Sequence, residues 1–273
     1  MNISIQGIKG SYHHQVATDL YGYDVELTEC QTFGDIPIQL KKQQSDFGIM
    51  AIENSIAGAI IPNYNLIDYY NLNIIGEYYL PIQHQLMALN GQTLNDIKEV
   101  WSHPMALEQC RHFFRQHAHI KLIEEKDTAE VAKKIHEEQI KNVAAVASKL
   151  AAKLYGLNII KNDIQTHKEN YTRFFIVENS TIDQSQKNYN KASIKFSLPH
   201  QSGSLAHVLN CFHKNNLNLT KIQSLPIIDK PWEYAFFTDI IFDNSSDFEQ
   251  AMEQMHDDLH DLKILGLYKP HNI

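Results

Sequence analysis

Through about residue 180, short apolar runs alternate with stretches of helical period, which predicts βα units and a largely parallel sheet with helices on its faces. "ISI" at 3–5 gives a first strand. "QGIKGSYHHQVATDLYG" follows as a loop and a helix stopped at Gly22. "DFGIMAI" is the next strand, and "ENSIAGAI" reads as a turn opening into a helix whose run Pro62 limits. In "EVWSHPMALEQCRHFFRQH" a strand leads to Ser102 as helix cap and Pro104 in the first turn, with Leu107, Cys110 and Phe114 along one face. "NVAAVASKLAAKLYGL" is a buried strand and a helix ended by Gly156.

Residues 179–191, "NSTIDQSQKNYNK", are polar and aperiodic, with a linker placed at 181–191. The rhythm then changes. "ASIKFSL" alternates as a strand, Leu205, Val208, Leu209 and Phe212 share a helical face, and "LTKIQSL" and "YAFFTDIIF" are strands. Phe248, Ala251, Met252, Met255, Leu259 and Leu262 mark a last helix before "KILGLY". That order, βαββαβ over about 80 residues, is ferredoxin-like. The fold expected is therefore α/β, a domain at 1–180 followed by a smaller one at 192–273.

A length of 273 residues suits two domains, and 43% hydrophobic with 21% charged residues is ordinary globular composition. A net charge of −8, without clustered Lys or Arg, argues against nucleic acid or an anionic membrane as partner. An anionic small molecule stays possible if the cations are local. Cys30, Cys110 and Cys211 lie far apart, which disfavours a zinc ribbon or a disulfide framework and suits a reducing compartment. The start has no signal-peptide pattern and no apolar run is long enough to span a membrane, so a cytoplasmic location is expected.

Four strand ends carry small polar residues: Gly10-Ser11, Glu53-Asn54-Ser55, Ser102-His103-Pro104, and Asn170 through Arg173. Ligands of open α/β sheets bind beyond such ends, where helix N-termini offer N–H groups to anions. Ser11 and Ser55 equally suit plain helix capping, Asn54 a turn, and Gln109 an exposed helix position. With 15 histidines in the chain, His103 alone says little. Thr172 and Arg173 stand out, since an apolar strand follows directly and Arg is seldom buried unpaired. Neither a metal-ligand cluster nor a glycine-rich dinucleotide fingerprint is evident, and no cofactor is expected.

Together these stretches resemble the prephenate dehydratase family. "GSYHHQVA" is similar to its first loop and helix, "AIENSIAGAI" to its Glu-Asn-Ser segment, "SHPMALEQC" to its Ser-His-Pro segment, and "NYTRFFI" to its Thr-Arg-Phe signature. The C-terminal "GSLAHVLNCFHKNNLNLTKIQSLP" resembles the ACT regulatory domain that family members carry. The resemblance implies a catalytic domain of two lobes like a periplasmic binding protein, at 1–76 with 160–180 and at 77–159. The substrate would lie between the lobes.

The implied reaction turns prephenate into phenylpyruvate, carbon dioxide and water in phenylalanine synthesis. By resemblance Thr172 assists the leaving hydroxyl. Asn54 and Gln109 then fit as neutral donors, Arg173 can hold a carboxylate, and Phe174 can pack beside the ring. Ser11, Ser55, Ser102 and His103 complete the expected substrate site. The resemblance further implies inhibition by L-phenylalanine at ACT interfaces, through Gly203-Ser204-Leu205, Asn218 and Gln223-Ser224-Leu225-Pro226. The last segment departs from the family's Glu-Ser-Arg-Pro, losing a fork of donors at Leu225 and a charge at Gln223. Inhibition is expected to be retained, and a homodimer or homotetramer follows from the resemblance. Arogenate dehydratase is the rival activity and a non-catalytic sensor a more distant one. A chorismate mutase activity would require a further helical domain, for which no room is expected before Met1.

Overall fold

The computed structural model describes residues 1–182, 188–227 and 233–271; part of the expected linker, 183–187, lies outside the described residues. The chain divides into two compact units, Met1–Ala59 with Tyr79–Phe174, and Ile60–Tyr78 with Phe175–Ile273.

The chain opens with β1 (Asn2–Gln6), α1 (Tyr12–Tyr21), β2 (Glu26–Cys30), α2 (Asp35–Lys41), β3 (Phe47–Asn54), β4 (Gly58–Ala59), α3 (Ile61–Tyr69) and β5 (Asn73–Pro81). Then come β6 (Gln85–Ala88), β7 (Glu99–Ser102), α4 (Pro104–Gln109), α5 (Arg111–Arg115), β8 (Lys121–Glu124), α6 (Thr128–Glu137), β9 (Val143–Ala147), α7 (Lys149–Leu154), β10 (Asn158–Lys161) and β11 (Tyr171–Glu178). A first sheet has the order β2-β1-β3-β11-β5 with β4 paired to β3, and a second the order β10-β6-β9-β7-β8. The chain passes from one unit to the other between β4 and α3, within β5 and within β11. Strand β1 is parallel to β2 and β3, and β7 is parallel to β8 and β9, whereas β6 is antiparallel to both neighbours.

The second sheet shows why its strand β9 is a continuous apolar run. Successive side chains of a strand face opposite sides, and here both sides are covered. Ala144 and Val146 of β9 join the core under α4 and α5 with Leu107, Cys110 and Phe114. Val143, Ala145 and Ala147 join the opposite core under α6 and α7 with Val131, Ile135 and Ala151. By sheet membership the crossovers between the two layers fall at 82–84 and 162–170, a few residues beyond the expected lobe boundaries at 77 and 159.

Two local expectations are corrected. After Asn54 the chain makes a turn and pairs β4 with β3 before any helix starts, and Pro62 sits in the first turn of α3, where its missing N–H costs nothing. Ser102 is not a cap. Proline at the first helical position makes the preceding residue the cap, and His103 Nδ1 accepts from the Met105 N–H at 3.2 Å.

The remaining elements are β12 (Lys191–Ser197), α8 (Ser204–Lys214), β13 (Asn218–Pro226), β14 (Tyr234–Ile241), α9 (Ser245–Gln254) and β15 (His260–Tyr268). They form an antiparallel sheet of order β13-β14-β12-β15 with the βαββαβ sequence of elements. Helix α9 stops at Gln254, short of the expected run to Leu262. Leu259 and Leu262 still reach the same core as Phe248, one from the turn and the other from β15, which mimics a continued helical period.

Within this unit β12 splits its side chains by the pleat. Ala192, Ile194 and Phe196 pack with Val208, Phe212 and Phe248, while Lys191 and Lys195 face α3 and β5. Lys191 Nζ donates to both oxygens of Glu77 at 2.7 and 2.9 Å, and both residues are buried. Asp68 receives Lys195 and Lys263; burial pushes its carboxyl up, but the two lysines outweigh this and leave it below the ordinary value. Gly266 is obligatory because a Cβ there would lie 2.2 Å from the Ile74 carbonyl oxygen. A buried ion pair is costly to break and cheap to replace as a pair. Lys191→Met should therefore cost about 3–5 kcal/mol in denaturant unfolding, and adding Glu77→Leu should recover most of it.

Candidate active site

The two layers of the first unit meet at the paired crossovers. Ile82 N–H donates to the Asn170 carbonyl at 2.7 Å, and Ile164 N–H to the His84 carbonyl at 2.9 Å. The start of α1 reaches the second layer here. Ser148 Oγ donates to the Gly10 carbonyl at 2.6 Å and Tyr155 OH to that of Lys9 at 2.5 Å. Gly10 has φ +94°, and a Cβ there would press on Ala151 and Tyr155 at 3.2 Å, so the position calls for glycine twice over.

Three of the expected residues are joined by one hydrogen-bonded ladder whose direction follows from donor and acceptor chemistry. The N–H groups of Ile56 and Ala57 donate to Asn54 Oδ1 at 3.0 and 2.9 Å. A backbone N–H can only donate, so the other end of Asn54 is its NH2. Asn54 Nδ2 donates to Asn170 Oδ1 at 2.7 Å, and lies 3.0 Å from Thr172 Oγ1 and 3.1 Å from the Tyr171 carbonyl. Asn170 Nδ2 in turn donates to Gln109 Oε1 at 2.9 Å, and His84 Nε2 lies 2.8 Å from the same oxygen. Tyr12 OH stands 2.7 Å from His84 Nδ1 and 3.1 Å from the Gln83 carbonyl. Asn54, Asn170, Thr172 and His84 are buried. An NH2 cannot accept, so Thr172 does not spend its hydrogen on Asn54 and keeps it to donate, and Gln109, its oxygen filled, keeps both amide hydrogens.

The other expected residues divide. Ser11 Oγ caps α1, accepting from the His14 N–H at 3.2 Å. Ser55 Oγ accepts from the Tyr171 N–H at 2.9 Å, clamping β3 to β11 and capping no helix. Ser102 is fully buried and donates to the Val146 carbonyl at 2.6 Å, which withdraws it from any ligand. His103 is exposed. Phe174 is 1% exposed and meets the His13 ring edge-on at 5.0 Å, so it packs in the core and not beside a substrate. Arg173 is also buried, its guanidinium carbon 5.8 Å from the centre of the Tyr79 ring. The pleat sends Thr172 and Arg173 to opposite faces of β11, so neighbours in sequence do not converge on one point.

In the C-terminal sheet, Gly203 takes φ +93° ahead of α8, and Ser204 and Leu205 open that helix. Ser197, Pro226 and Tyr234 mark one end of the sheet, and Gln223 to Pro226 lie toward it. Asn218 pairs with Ile241 at the opposite end and is set apart from the others within the chain. Leu225 is 2% exposed, an apolar side chain turned inward. Among the described residues no group of three or more His, Cys, Asp or Glu could hold a metal. No helix among them is long and apolar enough to cross a membrane.

Tyr12, His84 and Asn170 had no assigned role in the sequence. Asn170 stands two positions before Thr172 in the "NYTRFFI" motif, but His84 lies in "LPIQHQLMAL", where nothing local sets it apart.

Two α/β layers joined by paired crossovers, with uncharged donors gathered where they meet, define the class: a two-layered α/β protein. The prephenate dehydratase family model matches residues 3–182. A bifunctional chorismate mutase/prephenate dehydratase of Buchnera aphidicola subsp. Schizaphis graminum is 33% identical over all of this chain and 72% of its own length. Two solved structures are similar: one described as GqqA, a novel type of quorum quenching acylase (TM-score 0.89, 26% identity, 99% of this chain and 98% of that one), and prephenate dehydratase from Arthrobacter aurescens in complex with L-Phe (TM-score 0.87, 25% identity, 98% and 90%). The chain belongs to the prephenate dehydratase family, a family of lyases.

Two buried histidines near the site remain neutral. Burial lowers His13 from 6.5 to about 3, and its Nε2 reaches no partner among the described residues. Burial likewise lowers His84 to about 4, against the raising effect of its bond to Gln109. Well above pH 6.5 both rings are neutral, folded or unfolded. Below it the unfolded chain takes up protons that the folded one refuses, so stability falls as pH drops from about 6.5 toward about 4. His13→Leu should remove up to about 1.4 kcal/mol per pH unit of that slope in thermal or denaturant unfolding across the window.

Proposed function

We propose that this chain is a prephenate dehydratase, coupling loss of the ring hydroxyl to loss of the ring carboxylate as phenylpyruvate forms. The electron pair of the C–CO2 bond moves into the ring and completes its aromaticity, while the C–O pair leaves with the hydroxyl. Hydroxide leaves badly without a donor, so the site need only orient the substrate and meet the charge that builds on that oxygen.

The observation that carries this reading is the 3.0 Å approach of Asn54 Nδ2 to Thr172 Oγ1: an amide NH2 cannot accept, so the hydroxyl's own hydrogen is not spent on Asn54. Thr172 is the donor to the leaving hydroxyl, which takes its final proton from water. Gln109 offers its NH2 to the substrate, and Asn54 holds Thr172 in place. The N–H groups at the start of α1, beyond the Ser11 cap, suit a carboxylate. Arg173, on the other face of β11, supplies a fixed positive charge at the strand end and not a fork on the ligand. An acylase would need a base to deprotonate its nucleophile, and Thr172 has an amide there. Arogenate as substrate is judged by comparing turnover of the two.

The C-terminal βαββαβ unit is read as an ACT domain that binds L-phenylalanine, in keeping with the L-Phe complex of the Arthrobacter aurescens protein. Gly203 to Leu205 and Gln223 to Pro226 are the contacts that share one end of its sheet. The enzyme is read as cytoplasmic, and as a homodimer or a dimer of dimers.

Purified protein given prephenate should form phenylpyruvate. Thr172→Ala should lower kcat by about 10² to 10³ with little change in KM, and near-normal turnover would remove the role given to the hydroxyl. Activity should fall as phenylalanine is titrated in, and a flat response up to millimolar levels would remove the regulatory reading.

A further inference from the structure

We infer that His84, held by Tyr12, is a positioning residue whose Nε2–H tautomer fixes Gln109 with its oxygen inward and its amide hydrogens toward the substrate. The inference rests on the proposed reading of Gln109 as a substrate donor. The two orientations of a glutamine amide are nearly the same in shape, so its partners decide between them. At Gln109 Oε1 two groups converge, Asn170 Nδ2 at 2.9 Å and His84 Nε2 at 2.8 Å. Asn170 cannot turn round, because Asn54 donates to its oxygen and Asn54 is pinned by the N–H groups of Ile56 and Ala57.

With the opposite tautomer, a lone pair on Nε2 would face the lone pairs of Oε1. Turning Gln109 over would satisfy His84 but set two NH2 groups against each other at Asn170. Only the Nε2–H form gives every group at the Gln109 end a partner, and Tyr12 then gives its one hydrogen to Nδ1 at 2.7 Å in place of the Gln83 carbonyl at 3.1 Å. The ring is braced to keep it: Tyr12 OH lies 2.7 Å from Nδ1, the His84 N–H donates to Gln165 Oε1 at 3.0 Å, and its carbonyl accepts from Ile164. Burial lowers the imidazole to about 4 and pushes the Tyr12 phenol well up, so the ring stays neutral and the phenol stays a donor. Three amides separate His84 from Thr172, and amides pass protons poorly. The ladder therefore orients and does not relay.

The carbon skeletons supply the test. The amide nitrogen of Gln can occupy the place of histidine Nε2, and that of Asn the place of Nδ1. With prephenate, H84L and H84N should each lower kcat by up to about a hundredfold, and H84Q should recover about tenfold of that loss. Equal activity of H84Q and H84N would overturn the inference.

A second arm needs no catalysis, only that the conservative H84Q variant folds. In wild-type protein labelled with ¹⁵N-histidine, side-chain spectra near neutral pH should show His84 as Nε2–H, its signals being those absent from H84Q. An Nδ1–H or imidazolium pattern would overturn the inference. If prephenate is not turned over at all, the functional reading fails, while the tautomer still reports on the ladder.

Discussion

Two backbone N–H groups at the turn after β3 set the chemistry of this site. Those of Ile56 and Ala57 can only donate, and both reach Asn54 Oδ1. From that fixed end, every amide along the ladder has one permitted orientation, through Asn170 and Gln109 to His84 and Tyr12. A buried polar network is worth having only when each member is satisfied, and a single wrong orientation would leave unpaired groups in a poorly solvated place. The same rule that makes the ladder stable leaves hydrogens over on Thr172 and Gln109, the members proposed to meet the substrate. Stability and donor capacity arise from one arrangement.

The ladder also explains where the site lies. Its members come from β3, β11, the end of α4, the start of α1 and both crossovers, so it exists only when the two layers of the first unit are folded together. Uncharged donors suit a reaction in which negative charge moves from a carboxylate toward a departing oxygen. A cation beside that oxygen in the ground state would bind the substrate as strongly as the transition state, whereas a neutral donor gains most as the charge builds. The placement of Arg173 on the far face of β11 fits this division.

Much of the fold was legible because apolar runs buried on both faces, such as "DFGIMAI" and "NVAAVA", announce themselves. Strand β2, "ELTEC", has one buried residue and no such signal. Asn54, Gln109 and Thr172 stand in motifs in family order, and the structure joins them through Asn170 in one ladder. Ser102 and Phe174 were not separable from them in sequence, since whether a residue in a motif faces a ligand or the core depends on strand pairing and on what covers each face. Arg173 shows the same limit, because adjacency in a strand means opposite faces. His84 was invisible for a different reason. Its importance lies in partners 25 and 72 residues away, and no local pattern encodes them.

Neutron diffraction from a deuterium-exchanged crystal would test this account most directly, because it locates the hydrogens from which the account is built. It should show both deuterons of Asn54 Nδ2 directed at neighbouring acceptors, Thr172 Oγ1 among them, with the hydroxyl deuteron of Thr172 turned away from Asn54. A Thr172 deuteron pointing at Asn54, with the asparagine amide reversed, would contradict it.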